Sequence, residues 1–278
     1  MKYAIRSITQ LAQKGLAMPF YLRLWCRFVS IAFIRQAEYR TNFVINTAVS
    51  VLSLVLAVLT YEILYRFTSD VAGWSKAEAL MLLGAFRLVQ ALIEMLIARN
   101  MWDVSKSIRS GDMDYLLLRP ASSQFLATLQ RIDLSEGVNI LIGIGLIVYA
   151  GNMSDVEWSV ARSGAAIALM TYGLALLYAF WCVSVTFAFW LQGGPLESLF
   201  HWLIDAGRYP VSFFKGWIRV FLTFVFQVAF ASTFPTQALL GVIDVRTLLG
   251  GAVLALLALW GTNRFWHFGV RHYSSASS

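Results

Sequence analysis

Residues 43–65 read FVINTAVSVLSLVLAVLTYEILY, and residues 163–191 read SGAAIALMTYGLALLYAFWCVSVTFAFWL. The first stretch holds one carboxylate, Glu62, and no cation; the second holds no charged residue at all. A helix rises about 1.5 Å per residue, so either stretch is long enough to cross a hydrocarbon layer of about 30 Å. Inside that layer no water is available for backbone groups, which leaves helices or closed barrels as spanning structures. A barrel would need segments of alternating polarity, and these runs do not alternate. Similar apolar runs recur at about 77–99, 124–150, 213–233 and 247–267. The expected fold is therefore an all-α polytopic membrane protein with six transmembrane helices. Whole-chain composition agrees: 59% of the 278 residues are hydrophobic and 13% charged, against about 45–50% and about 25% in soluble domains.

Charge placement sets the expected orientation. With these six spans, the segments 1–42, 99–131, 191–219 and 264–278 carry 17 Lys and Arg, and the intervening segments 66–76, 151–162 and 234–246 carry four. Cationic loops stay in the cytoplasm, so both termini are expected there. The net charge of +7 flanks membrane spans and points to no nucleic acid. Three regions are expected: a cytoplasmic 1–42, a six-helix permease-like domain at 43–267, and a tail at 268–278. The first 18 residues carry Lys2, Arg6 and Lys14 but no apolar core with a cleavage site, and are expected to be retained. Before the first span, Pro19 suits a first helical turn. Phe20, Leu24, Phe28 and Ile31 recur at helical spacing beside Arg23, Arg27 and Arg35. This predicts an amphipathic helix on the inner leaflet, with a helix packed on a partner as the alternative. A second interfacial helix is expected after Gly193-Gly194-Pro195, with Leu196, Leu199, Phe200 and Leu203 on one face, leading into Arg208-Tyr209-Pro210.

Catalytic signatures are missing from the chain. No GxxxxGK[ST] loop, HExxH or GxSxG occurs, His201, His267 and His272 are scattered, and Cys26 and Cys182 lie far apart. If ATP drives this protein, another chain must hydrolyse it, and no cofactor is expected on this one.

Polar residues at membrane depth need an explanation, because a charge near the centre of a span costs about 2.5–3.5 kcal/mol even on lenient scales. Arg87, Gln90 and Glu94 share one face of the second span, and Glu62 ends the first. They read either as an Arg–Glu pair that fixes packing or as a polar stripe along a path or interface. The expected partner of Arg87 is Glu94 or Glu62. Gln130, Arg131, Asp133, Glu136 and Asn139 crowd the start of the third span, which reads as a solvated or partner-facing end. Between the second and third spans, residues 108–120 read IRSGDMDYLLLRP. Gly111 offers a turn, Asp112 a cap and Pro120 a stop, and the exposed Tyr-Leu-Leu-Leu run needs cover from the protein itself or from a partner.

This segment resembles the inner loop of ABC-2 type permeases of ATP-binding-cassette exporters, specifically a poorly characterised bacterial branch reading I-x-x-G-x-[LM]-D-x-x-L-L-R-P. Here the matching residues are Ile108, Gly111, Asp114, Leu117, Leu118, Arg119 and Pro120. The stretch Arg208-Tyr209-Pro210-Val211-Ser212-Phe213-Phe214, with Trp217-Ile218-Arg219, is similar to the family's entry to the fifth span. Phe234-Pro235-Thr236-Gln237-Ala238-Leu239-Leu240 is similar to its outer segment. Where relatives often carry a proline late in the fifth span, this chain has Gln227-Val228, so the sequence offers no proline to break the helix there. The resemblance implies an ABC-2 (type V) exporter-like fold and a bacterial inner-membrane location. It also implies pairing with an identical or homologous second permease, a separate cytoplasmic ATPase carrying ATP and Mg, and outward transport of an amphipathic, lipid-linked or polymeric substrate. Residues 103–120, with Asp112, would form the ATPase-coupling loop. Membrane lipids complete the expected partners. Two other functions stay open from the residues alone: a lipid-modifying membrane enzyme using Asp112, Asp114 and Arg119, and an ion-coupled transporter using Arg87 and Glu94.

Overall fold

The computed structural model describes residues 17–38, 40–154, 156–190 and 204–273. Within them, helix α1 (Ala17–Glu38) precedes α2 (Arg40–Leu64), which supplies the first apolar span over Phe43–Leu64. Next, α3 (Lys76–Ile93) passes through a π-helical turn at Glu94–Ala98 into α4 (Arg99–Ser110), and together they make a second span over Lys76–Ile108. Two short helices follow, α5 (Met113–Leu117) and α6 (Ser123–Leu129). A single 3₁₀ turn leads into α7 (Gly137–Met153), the third span. Helix α8 (Val160–Thr186) is the fourth. Short helices α9 (Gly216–Val220), α10 (Val228–Ala231) and α11 (Thr233–Leu239) then lead to α12 (Val245–His272), the last.

Helix α3 is the axle of the bundle. Met81, Leu82, Leu83, Ala85 and Phe86 are all buried on successive positions, which only a helix covered on every side can achieve. Its closest partner is α7, and the approach depends on glycine. A Cβ on Gly84 would lie 2.9 Å from Ile147, and one on Gly143 would lie 2.8 Å from the Leu88 nitrogen. Membrane helices pack through such small residues because lipid supplies no hydrophobic drive between them. Helix α2 is the opposite case: Val44, Ile45, Val49, Leu52, Val55, Leu56 and Leu59 are exposed.

Structure departs from expectation in two places. The third span, expected as one helix over 124–150, is split into α6 and α7 by an unwound stretch at 130–133. The cause is external: the Asp133 N–H donates to the Met95 carbonyl (2.9 Å), so this backbone bonds to the neighbouring span instead of continuing its own ladder.

The other departure concerns the fifth span, expected at 213–233. Helix α8 ends on the side of the cationic loops, where the Trp190 ring packs at a tilt against Phe268 and His272. We call this the basic side. By Arg208 the chain lies against Tyr61 near the far end of α2. The Tyr61 hydroxyl donates to the Arg208 carbonyl (2.6 Å), and Trp74 Nε1 donates to Ser212 Oγ (3.1 Å). Trp190 and Ser212 therefore stand on opposite sides. The expected interfacial helix at 196–205 lies mostly outside the described residues; Asp205 begins a 3₁₀ turn at Asp205–Arg208.

Residues 216–239, by contrast, dip in and come back. Their entrance is at Ser212, and they leave where Gly241 packs on Arg162, again on the far side. The two stretches Gly216–Thr223 and Val228–Leu239 are set at 58° to each other. They meet at Gln227, whose φ of 60° is left-handed. Gln227 breaks the helix without a proline, and Pro235 sits harmlessly in the first turn of α11, where its missing N–H costs nothing. Six changes of side result, and the ends at α1 and Tyr273 share the basic side. Hydropathy missed the exchange because 213–233 is the more apolar run, whereas Asp205 and Arg208 neutralise each other (2.8 Å) on the run that changes sides. With Arg208 at depth beside Phe86, and Lys215 and Arg219 past the change of side, the cation count becomes 14 against six. The bias keeps its sign.

Candidate functional site on the basic side

Ile97 of the π-helical turn and Met101, Val104 and Ile108 of helix α4 form a buried stripe, with Asn100 among them at 1% exposure. An amide so placed must find partners. Asn100 Nδ2 donates to the carbonyls of Leu96 (2.9 Å) and Arg131 (2.8 Å), and its Oδ1 accepts from the Arg131 N–H (2.9 Å). It thus pairs with Arg131 as a peptide group would, through a donor and an acceptor at once. Around this link, Arg131 pairs with Asp103 (2.7 Å) and Arg99 with Asp133 (3.8 Å). The polar start, expected as a solvated or partner-facing end, is partly exposed and is also clasped to the second span.

Gly111 ends α4 with φ of 82°, a left-handed conformation that a side chain would resist. That turn reverses the chain, and Ser110 Oγ donates to Asp112 Oδ2 (2.6 Å). Helix α5 then presents two faces. Ile108 and Met113 are buried beneath it, and Leu116 and Leu117 pack against the core. Tyr115 and Leu118, three residues apart and hence on one face, stand 72% and 80% exposed. Arg119 and Pro120 are exposed beyond them. The Tyr-Leu-Leu-Leu run is therefore covered by the protein in part, and a two-residue apolar face is left open.

This platform is wired to distant spans. On α6, Gln124 donates to the Tyr178 hydroxyl (3.2 Å) and Cys182 Sγ (3.6 Å) of α8, and Thr128 shares a hydrogen bond with the same hydroxyl (2.9 Å). Trp266 Nε1 of α12 donates to Ser123 Oγ (3.1 Å). Just past α12, Tyr273 sits beside Asp114, and burial together with that carboxylate pushes its phenol above the ordinary range. Helix α1 closes the assembly: the Tyr21 hydroxyl accepts from the Ser122 N–H (3.0 Å), and Tyr21 and Phe28 pack on Phe125. Of the face expected to lie on the leaflet, Phe28 thus packs on the chain's own α6. Leu22, Trp25, Phe33 and Ile34 are exposed, and so is Ile31 of the expected face. None of Asn100, Tyr178, Trp266 or Tyr273 was singled out from the sequence. Only Asn100 left a trace there, as an amide at a core position of the 97–108 stripe.

The intramembrane polar residues do not form the expected pair. Glu62 binds Lys76 across the first turn outside the spans. Glu94 faces a cleft of about 340 Å³ shared with Arg99, Trp102, Asp103, Asp133 and Glu136. Arg87 makes an ion pair with neither; its charged neighbours are Arg208 and Asp205. Spacing explains this: Arg87 and Glu94 stand two turns apart, about 10 Å along the axis, and the chain that changes sides brings Asp205 closer. Gln90 is half-buried between them. Among the described residues no three of His, Cys, Asp and Glu converge as metal ligands, Asp112 and Asp114 included.

Neither the curated proteins nor the solved structures contain a match to this chain. A family model does match, that of the ABC-2 family transporter protein, over residues 51–277, which takes in every element from α3 to α12 and most of α2. On that match the chain belongs to the ABC-2 transporter family and is a membrane permease subunit of an ABC transporter.

Proposed function

We propose that this permease works as an exporter in the inner membrane of a bacterium, with its termini in the cytoplasm and a separate ATPase docked on the exposed face of α5. The supporting observation is the open apolar face of Tyr115 and Leu118 on a buried, hydrogen-bonded footing. A surface patch on a mobile loop would absorb a partner's movement. One seated on Ile108 and Met113, with α6 keyed to α8 and α12, passes it on. ATP and Mg would act on the partner, and closure of its nucleotide sites would bias the permease between two arrangements, a coupling of free energies between sites. Helix α2, exposed along its length, offers cover for a second permease, identical or homologous. The substrate class that suits such an exporter is amphipathic, lipid-linked or polymeric.

Co-purification tests this reading. In mild detergent the wild-type chain should bring down an ABC ATPase, and Tyr115→Asp with Leu118→Asp should not, at equal folded yield. Repeated recovery of the permease with no nucleotide-binding protein would overturn it.

A further inference from the structure

We infer that the groove between α1 and the unwound stretch at 130–132 is a binding site for the phosphate group of an anionic membrane lipid. The groove encloses about 230 Å³ and is lined by Phe28, Ile31, Ala32, Arg35, Gln130, Arg131 and Ile132. Its lining holds two guanidinium groups and an amide, and no carboxylate. Arg131 shares one nitrogen with Asp103, which leaves other guanidinium N–H groups to donate. Arg35 is exposed and forms no ion pair with any described carboxylate. Two guanidinium groups facing one small space suit a phosphate, whose oxygens accept from both.

The apolar part of the groove selects a lipid over free phosphate. Phe28, Ile31 and Ile132 form its wall, and Ile31 and Ile34 continue outward exposed. Acyl chains of a lipid held by its phosphate would lie along them. The site is also pre-formed, because Tyr21 and Phe28 hold α1 against Phe125 and Asn100 fixes the Arg131 backbone. Occupied, the groove would tie α1 to the same clasp that supports α4 and α5, so lipid charge would report on the platform. This inference depends on the basic side facing a leaflet with anionic lipid and does not require the ATPase.

Thermal unfolding of the purified full chain in detergent tests it, with phosphatidylglycerol or phosphatidylcholine added. Phosphatidylglycerol should raise Tm by several degrees and phosphatidylcholine should not. Arg35→Gln should remove that rise while leaving the lipid-free Tm unchanged, and Arg27→Gln, on the same helix outside the groove, should keep it. Equal loss in both variants would mean diffuse surface charge and overturn the site. So would an equal rise with glycerol phosphate, which has the anion without the chains. As a readout independent of variants, native mass spectrometry of the wild-type chain should retain one phosphatidylglycerol through delipidation; retention of none would also overturn the site.

Discussion

The two ends of the bundle finish apolar helices in different ways. On the basic side, segments remote in sequence are joined by side-chain hydrogen bonds: Asn100 to Arg131, Thr128 and Gln124 to Tyr178, Trp266 to Ser123. On the far side, the returning segment 216–239 has two such bonds among the described residues, Ser232 Oγ to the Gly207 carbonyl (2.8 Å) and the Val211 N–H to Thr233 Oγ1 (3.3 Å), and is fitted also by close approach at glycines. A Cβ on Gly173 would stand 2.6 Å from the Phe230 carbonyl oxygen, and one on Gly207 would stand 2.9 Å from both Phe86 and Val228. Steric fit tolerates little change of volume, whereas a network of single bonds loses a modest amount for each one removed. The basic end is thus a footing that can carry load, and the far end is a plug shaped to its socket.

The largest effect should follow from spoiling the plug. Gly173→Leu places a side chain where the Phe230 backbone already lies, so folded monodisperse protein should be lost in size-exclusion chromatography. A normal profile would mean that 216–239 is not seated as described. Next in size is a functional effect at the other end: Tyr115→Asp with Leu118→Asp should leave yield intact, since both side chains are exposed, while abolishing ATPase coupling in reconstituted vesicles. Asn100→Leu should cost about 1–3 kcal/mol, because the Arg131 N–H and carbonyl are left buried without partners. Denaturant titration in detergent would read this as an earlier midpoint. Tyr178→Phe removes one hydroxyl from a shared network and should cost about 0.5–1.5 kcal/mol.

The smallest effect is alkaline. The Tyr273 phenol is raised above its usual value of about 10. A raised folded pKa means that the folded state holds the proton more tightly, so the contribution is complete below about pH 10 and is lost as pH climbs through the folded value. Wild-type protein should lose some stability above about pH 10 that Tyr273→Phe does not lose, measured as the difference in Tm between pH 8 and pH 10.5.

Hydropathy makes five spans and the shared side of both ends legible, because lipid solvent demands long uninterrupted apolar runs. It fails at 190–239, where the more apolar stretch returns to the side it entered from and the more polar one changes sides. Window averages register composition. They do not register that Asp205 and Arg208 cancel, or that a left-handed Gln227 can break a helix. At the candidate site, the 108–120 motif marked the right segment, but which of its residues face inward was not readable, since Leu117 and Leu118 are adjacent and identical in type. Leu117 packs inward and Leu118 stands exposed. Bonds such as Thr128 to Tyr178 join residues 50 apart, and no local pattern marks such a pair.

Docking of an ATPase on the face of Tyr115 and Leu118 can be read by placing a photoreactive amino acid at position 115 and irradiating intact cells. A single major adduct is expected, identified by mass spectrometry as an ABC ATPase, with no such adduct from the same group at the exposed far-side Trp217. An ATPase adduct at 217, or reproducible adducts at 115 with lipid alone, would contradict docking on that face.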